Sequence, residues 1–296
     1  MSGRARRLQA KTVTLNVRDN DVILPVRCRQ IIKSDLDSII RLLKKGFVQR
    51  DPNFWSRAIQ RLDEHQSPPN VPKYGYVLEN DGSLVGLLLL IHSSVENNIR
   101  CYTSGFYVEP EFRSYGPFLD AVATVRKDVT YINVTALAQT RQLMEPLGFV
   151  PYVQGSFIFV PALCRAQRGV RVTEIVEDLP TREAKLLQDH TGYGCLSLVC
   201  LTPDGAHPFV FAQRKRRGVK LARLTYCRNQ EEFVKFAGSL GRYLARRRFV
   251  LASLNADQPI SGLSGVYRGG WPKYYKGSNR PRLYDEAYSD RVLFDF

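Results

Sequence analysis

No apolar run in this 296-residue sequence approaches the ~18–20 residues that cross a bilayer; the longest, Leu84 to Ile91, is broken by Gly86. No membrane-spanning helix is expected. The N-terminal MSGRARRLQAKTVTLNVRDNDV lacks the apolar core and small-residue cleavage site of a secretory signal, so residues 1–22 read as a basic tail on a cytoplasmic protein. Cys-x-x-Cys pairs are missing too. Cys28, Cys101, Cys164, Cys195, Cys200 and Cys227 are scattered, and His65, His92, His190 and His207 stand in no ligand spacing with them. No metal site is therefore expected, and the thiols read as reduced core residues.

What is present is an ordinary globular composition. Hydrophobic residues make up 44% of the chain, too many for a disordered one. At ~100–200 residues per domain, the length fits one large or two ordinary domains. The 43 Lys and Arg against 28 Asp and Glu give a formal charge of +15. Residues 1–160 carry 20 basic and 15 acidic side chains, and residues 161–296 carry 23 and 13. The excess thus gathers in the second half, around Arg214–Arg217 and Arg246–Arg248. A solvated face is the ordinary reading; an acidic ligand, a nucleic acid or an acidic partner protein are the others.

Periodicity organises the first half as follows. A strand over 24–31 precedes a helix with Ser34 at its N-cap and Leu36, Ile39, Ile40, Leu42 and Leu43 on one face, ending near Gly46. A second helix carries Phe54, Trp55, Ile59 and Leu62. Runs 74–79 and 83–94 flank Asn80-Asp81-Gly82, a strong hairpin signal. Then come a strand over 99–108, a helix from Pro117 to about Val125, a strand over 129–134, a helix over 140–147 and a strand over 149–160. The second half repeats part of this order: strand 170–175, helix 181–187, a hairpin around Pro203-Asp204-Gly205, strand 219–226, helix 230–245 and strand 249–254. The two hairpin glycines lie 123 residues apart and the crossover strands 120 apart. Two copies of one mixed-sheet α/β (α+β) fold are the economical reading, with domains at 23–162 and 163–296.

The most specific local feature is Tyr107-Val-Glu-Pro-Glu-Phe-Arg-Ser-Tyr-Gly-Pro-Phe118. A strand ends, a turn carries Arg113 and Gly116, and a helix begins. Such a turn either simply joins strand to helix or presents backbone N–H groups to a phosphate. With Leu147-Gly148-Phe149 after a short helix, Val108, Pro110, Phe112, Arg113 and Gly116 make residues 24–160 resemble the GNAT superfamily of acyl-CoA N-acyltransferases.

The resemblance implies acetyl-CoA or another acyl-CoA set between two splayed parallel strands, 99–108 and 129–134. Phe106, Tyr107 and Val108 would meet its pantetheine arm. Arg113, Ser114, Tyr115, Gly116, Pro117 and Phe118 would hold its pyrophosphate. An amine-bearing acceptor would attack the thioester directly, and the basic second half would suit an acidic one. Phe47 and Trp55 fall in the two-helix region that lines the acceptor site in relatives, and a core role is equally open to them. Several departures accompany the likeness. Pro117 removes an N–H, and Phe118 stands where the loop has a small residue. Met144 falls at the position of the family's general-acid tyrosine, and strand 99–108 contains no carboxylate. His92 could stand in as base or be a core histidine; Glu145 reads as a solvated helix residue, and Cys101 as a core thiol. The second half has no such loop, since Tyr226-Cys-Arg-Asn-Gln runs straight into a helix. The stretch from Tyr267 to Gly277 mixes aromatics with cations and reads as a loop packed over a sheet edge, or as a surface for bases and phosphates. The reading is therefore a tandem acyltransferase with a degenerate second copy; a non-catalytic module that binds coenzyme A or a partner, and a nucleic-acid-associated protein, are its alternatives.

Overall fold

The computed structural model describes residues 26–95, 98–174, 179–216 and 218–295. The tail 1–22, the start of strand 24–31, the end of strand 170–175 and Arg217 lie outside the described residues. The chain forms two compact units. One comprises residues up to His92 with Thr103–Arg126, and the other Ser93–Tyr102 with the residues from Lys127 on.

In the first unit, β1 (Arg27–Gln30) pairs antiparallel with β2 (Gly75–Asn80), which forms a hairpin with β3 (Ser83–Val95). Its turn holds Asp81 at φ 49° and Gly82 at φ 73°, the left-handed conformations that Asn-Asp-Gly announces. Arg29 donates through Nε to Glu79 at 2.6 Å and through a terminal nitrogen to Asp35 at 2.7 Å. Asp35, rather than Ser34, therefore organises the start of α1 (Leu36–Gly46), also accepting from the Ile32 N–H at 2.9 Å. The buried Ile39, Leu42 and Leu43 of α1, and the buried face of α2 (Phe54–Glu64), carry the expected helical spacing. The last residues of β4 (Asn98–Val108) and α3 (Gly116–Ala123) complete this unit.

The second unit continues from the start of β4 with β5 (Val129–Asn133), α4 (Ala138–Met144), β6 (Val150–Phe159) and β7 (Arg171–Thr173). It goes on with α5 (Thr181–Gly192), β8 (Leu196–Thr202), β9 (Gly205–Arg216), β10 (Val219–Tyr226), α6 (Gln230–Arg246) and β11 (Phe249–Ala256). It closes with β12 (Gly265–Lys276) and α7 (Asp290–Leu293). The strand order is β4-β5-β12-β6-β11-β10-β9-β8-β7. The β4–β5 and β10–β11 pairs are parallel and the other pairs antiparallel.

Alternation gives this sheet two unlike faces. Phe157, Phe159, Ala222, Leu224, Ala252 and Leu254 face a core that includes Phe233, Phe236 and Leu240 of α6. Their neighbours Arg223, Thr225, Ser253 and Asn255 are buried but polar.

One expectation is overturned. The stretch from Tyr267 is no edge loop: it is most of β12, paired with β6 from Gly265↔Phe159 and with β5 at Tyr274↔Asn133. Its aromatics favour a strand, and Pro272 falls within a register shift, where no ladder donor is needed. The partner strands are more than a hundred residues away, so local patterning carried no sign of the pairing. Helix 181–187 also extends to Gly192.

Candidate functional site

β4 pairs with β5 from Ile99↔Val129 to Tyr102↔Ile132, while β4 itself runs on to Val108. Within that extension Gly105 has φ 60°, which breaks the regular strand twist. A Cβ there would lie 3.0 Å from Leu89, with Leu43 3.4 Å away. Glycine thus lets β4 bend tightly against β3 and α1 just before Phe106.

After Val108 the Glu109 N–H bonds to the Val85 carbonyl at 2.8 Å, and its carboxylate meets Lys45 at 2.6 Å. That hydrogen bond holds the Lys45 ammonium above its ordinary pKa. The chain then makes a 3-10 turn, Pro110–Tyr115, that runs without a break into α3. The helix begins at Gly116, not at Pro117, because the turn already supplies helical geometry.

This continuity bears on the expected anion cradle. The Gly116 N–H is bonded to the Arg113 carbonyl, and Pro117 has no N–H. Gly116 is buried, with φ −56°, and a Cβ on it would lie 3.2 Å from the Phe106 ring. Its small size accommodates Phe106. Arg113 and Ser114 are exposed, and among the described residues neither side chain is bonded.

The expected acceptor residues lie beside this strand. Phe47 packs 5.1 Å from Trp55 and 6.4 Å from Tyr107, ring centre to ring centre. Gly46 leaves room for Tyr107, since a Cβ there would fall on its ring. Phe47 and Tyr107 are half-buried, whereas Trp55 is a core residue at 1% exposure. Phe47, Trp55 and Tyr107 are thus brought together, whereas Phe106 and Val108 meet Gly116 instead.

His92 is placed differently. It is fully buried on β3, its carbonyl accepts from or faces His65 Nε2 at 2.7 Å, and burial with the Arg126 charge pushes its pKa down to about 4. At neutral pH the ring is uncharged. Cys101 is buried as well. Among the described residues no three His, Cys, Asp or Glu side chains gather as a metal ion would need, and no helix is long and apolar enough to cross a membrane.

The Leu147-Gly148-Phe149 motif follows the end of α4. Gly148 has φ 84°, its N–H reaches the Glu145 carbonyl, and the Phe149 N–H reaches the Met144 carbonyl, both at 2.9 Å. This is a left-handed helix cap, with Met144 and Phe149 buried and Glu145 exposed.

Sequence reasoning did not find the polar face of the second unit. There Lys273 binds Asn255 at 2.5 Å and pairs with Glu286, and Arg223 donates to Asn255 at 2.7 Å. Arg100 and Tyr102 of β4 both reach Asp285, at 3.1 and 3.3 Å. The available signal was a charge within each strand pattern, Arg223 between Ala222 and Leu224, and Lys273 between Pro272 and Tyr274.

No protein-family model matches the sequence, and no curated protein matches it. Solved structures do match. A GCN5-related N-acetyltransferase from Anabaena variabilis aligns with TM-score 0.58 and 9% identity over 84% of this chain and 72% of that one. One from Kribbella flavida aligns with TM-score 0.54 and 13% identity over 87% and 72%. A tandem GNAT protein from the clavulanic acid biosynthesis pathway aligns with TM-score 0.50 and 12% identity over 87% and 100%. At such identities the likeness shows the fold: the chain has a GNAT fold, with a mixed α/β sheet.

Proposed function

We propose that the chain is an acyl-CoA-dependent N-acyltransferase, most simply an acetyltransferase, with its reactive half in residues 23–162 and a degenerate GNAT-like half in 163–296. The observation that carries this reading is the unbroken passage from β4 through Pro110–Tyr115 into α3, set in a fold shared with N-acetyltransferases.

The donor set suits a diphosphate chiefly through side chains. The Arg113 guanidinium and the Ser114 hydroxyl stand exposed at the turn, and a guanidinium matches phosphate oxygens. Coenzyme A, when bound, supplies the acyl thioester that an amine attacks. The residues Phe106–Val108 would line its arm, and Phe47 would contact the acceptor side. Trp55, closed from solvent, would support Phe47 from behind. A general base must reach the amine and have a pKa near working pH; His92, fully buried with a pKa near 4, offers neither. We therefore assign the amine's entry as free base to the acceptor itself.

The test is calorimetry with acetyl-CoA and longer acyl-CoAs. An Arg–phosphate contact worth ~1.5–3 kcal/mol makes Arg113→Ala bind ~10–100-fold more weakly. Absence of binding, or binding unaffected by Arg113→Ala, refutes the reading. Gly116→Glu is less telling, because it would also displace Phe106.

A specific observation favours a second reading, a GNAT-like module that binds without catalysis. Met144 occupies the place of the family's tyrosine and is 5% exposed, with no proton to give. A panel of amines that releases coenzyme A above the enzyme-free rate excludes it.

A further inference from the structure

Exposed cations from distant parts of the chain meet at one end of the second unit's sheet. On β10, Lys220 shares a face with Ala222 and Leu224, which pack under α6. Lys215 of β9 lies directly opposite Lys220 and therefore points to the same side. On that side α6 ends at Arg246, and Arg247-Arg248 leads straight into Phe249 of β11, the residue paired with Lys220. The Lys220 ammonium sits 5.4 Å from the centre of the Phe249 ring. Arg242, one turn before Arg246, extends the group along the helix. Two adjacent strands about 4.8 Å apart, the approach to a third and a helix end thus gather these cations.

Lys215, Lys220, Arg242, Arg246, Arg247 and Arg248 are all exposed. Glu174 takes Arg247 at 2.5 Å. Among the described residues Lys215, Arg242, Arg246 and Arg248 have no bonded partner, and Lys220 meets only the Phe249 ring.

A solvated face tolerates loose cations, but two of these positions are held against stability. Lys215 and Lys220 form a like-charge pair across the strands. Arg248 has φ 65°, and its N–H bonds to the Ala245 carbonyl at 2.9 Å, so it caps α6 in the left-handed conformation. Glycine or asparagine ordinarily occupies that place, because a Cβ strains it. The strain is here spent on a guanidinium without a protein partner, and strain retained in this way marks a function.

We propose that this face binds the phosphate backbone of a nucleic acid without reading its sequence. Guanidinium forks match phosphate oxygens, and cations from several elements follow a repeating charge better than a single anion. Bases have little to stack on: Tyr243 is half-buried, with the Arg247 guanidinium 4.9 Å from its ring centre. A bilayer surface fits less well, since the exposed apolar residues beside these cations are Val219 and Val250, whereas membrane-surface elements anchor through Trp, Phe or Leu. The acyl-CoA reading plays no part in this proposal.

Fluorescence anisotropy of the full chain with a labelled DNA duplex and its single strand tests it. With Lys215, Lys220, Arg242, Arg246 and Arg248 free to neutralise phosphates, duplex affinity should fall ~10²–10³-fold between about 50 and 200 mM sodium chloride. Lys220→Glu with Arg246→Glu should weaken binding ~10-fold or more and flatten the salt slope by about 2. Arg41→Glu with Lys44→Glu, exposed cations of α1 in the first unit, makes the same change in net charge and should leave affinity within about 2-fold. Arg248→Gly should weaken binding several-fold while raising Tm, because glycine relieves the left-handed strain. Lack of binding to either probe at low salt, an equal loss in the α1 control, or undiminished binding in Arg248→Gly and in the Lys220–Arg246 variant would each overturn the proposal. Binding to phosphatidylserine vesicles but not to DNA would overturn it in favour of a membrane surface.

Discussion

Replacing Gly241 by alanine tests how the chain between the two expected halves is held. Gly238 and Gly241 lie three residues apart on α6, where the backbone of 161–166 crosses it. A Cβ on Gly241 would sit 2.1 Å from the Pro161 carbonyl oxygen and 2.4 Å from its carbon; one on Gly238 would sit 2.3 Å from the Arg165 carbonyl carbon. Non-bonded carbons settle at roughly 3.5–4.0 Å, so the two backbones must part by about 1 Å. Overpacking of this kind costs ~1–3 kcal/mol, sometimes more. Alanine returns ~1 kcal/mol of helix propensity. Because the obstacle is main chain and cannot rotate aside, the upper range applies, and the net loss is ~2 kcal/mol. For a unit of this size that lowers Tm by roughly 4–8 °C, read by circular dichroism on the full chain. Gly192→Ala is the counterpart. It ends α5 in open space, with nothing within 4 Å of the added carbon, and should gain ~0.5 kcal/mol. If Gly241→Ala leaves Tm unchanged, or raises it as Gly192→Ala does, the packing argument is refuted. Should it hold, the expected boundary at 162/163 falls in a 3-10 turn, Pro161–Leu163, wedged against α6 rather than in a free linker.

His92 gives a pH prediction. Its folded pKa of about 4 lies below the ordinary 6.5, so between those values the unfolded chain binds a proton that the folded one refuses. Stability should therefore fall as pH drops through this window, by at most ~3 kcal/mol; urea midpoints at pH 7 and 4.5 should converge in His92→Leu. Lys273→Met leaves the buried Glu286 carboxylate to Arg223 and Asn255 alone and should cost no more than the ~3–5 kcal/mol of a fully broken buried pair, whereas Lys273→Met with Glu286→Leu should cost less than the sum of the two single changes. Urea denaturation at fixed pH checks both.

Local chemistry made much of the fold legible. Asn80-Asp81-Gly82 and Pro203-Asp204-Gly205 mark real hairpins because positive φ is a local demand, met by Gly82 at 73° and Gly205 at 133°. The α6 boundaries follow from its apolar spacing and from Asn229, whose side chain accepts from the Glu232 N–H at 2.8 Å. The turn after Val108 was legible as a turn, yet the occupied Gly116 N–H was not, since a 3-10 helix and an open loop can share one sequence. β12 escaped because its partners are remote. The polar face escaped for a related reason: Arg223 and Lys273 look solvated until Asn255 and Glu286 are brought beside them.

The excess charge must then be divided before it can speak for a partner. Arg214 bonds to the Arg291 carbonyl at 2.6 Å and pairs with Asp295, its side chain 19% exposed. Arg223, Lys273 and Arg100 are buried. These cations cannot reach a macromolecule. The outward set comprises Lys215, Lys220, Arg242, Arg246, Arg247 and Arg248, of which Arg247 already meets Glu174 at 2.5 Å. Lys215 and Lys220 stand opposite each other on β9 and β10, a like-charge pairing that costs stability and that an external anion would relieve. Nucleic-acid binding by the outward set should weaken steeply with salt, roughly tenfold per tenfold rise for each phosphate neutralised, and Lys220→Glu with Arg246→Glu should flatten that slope.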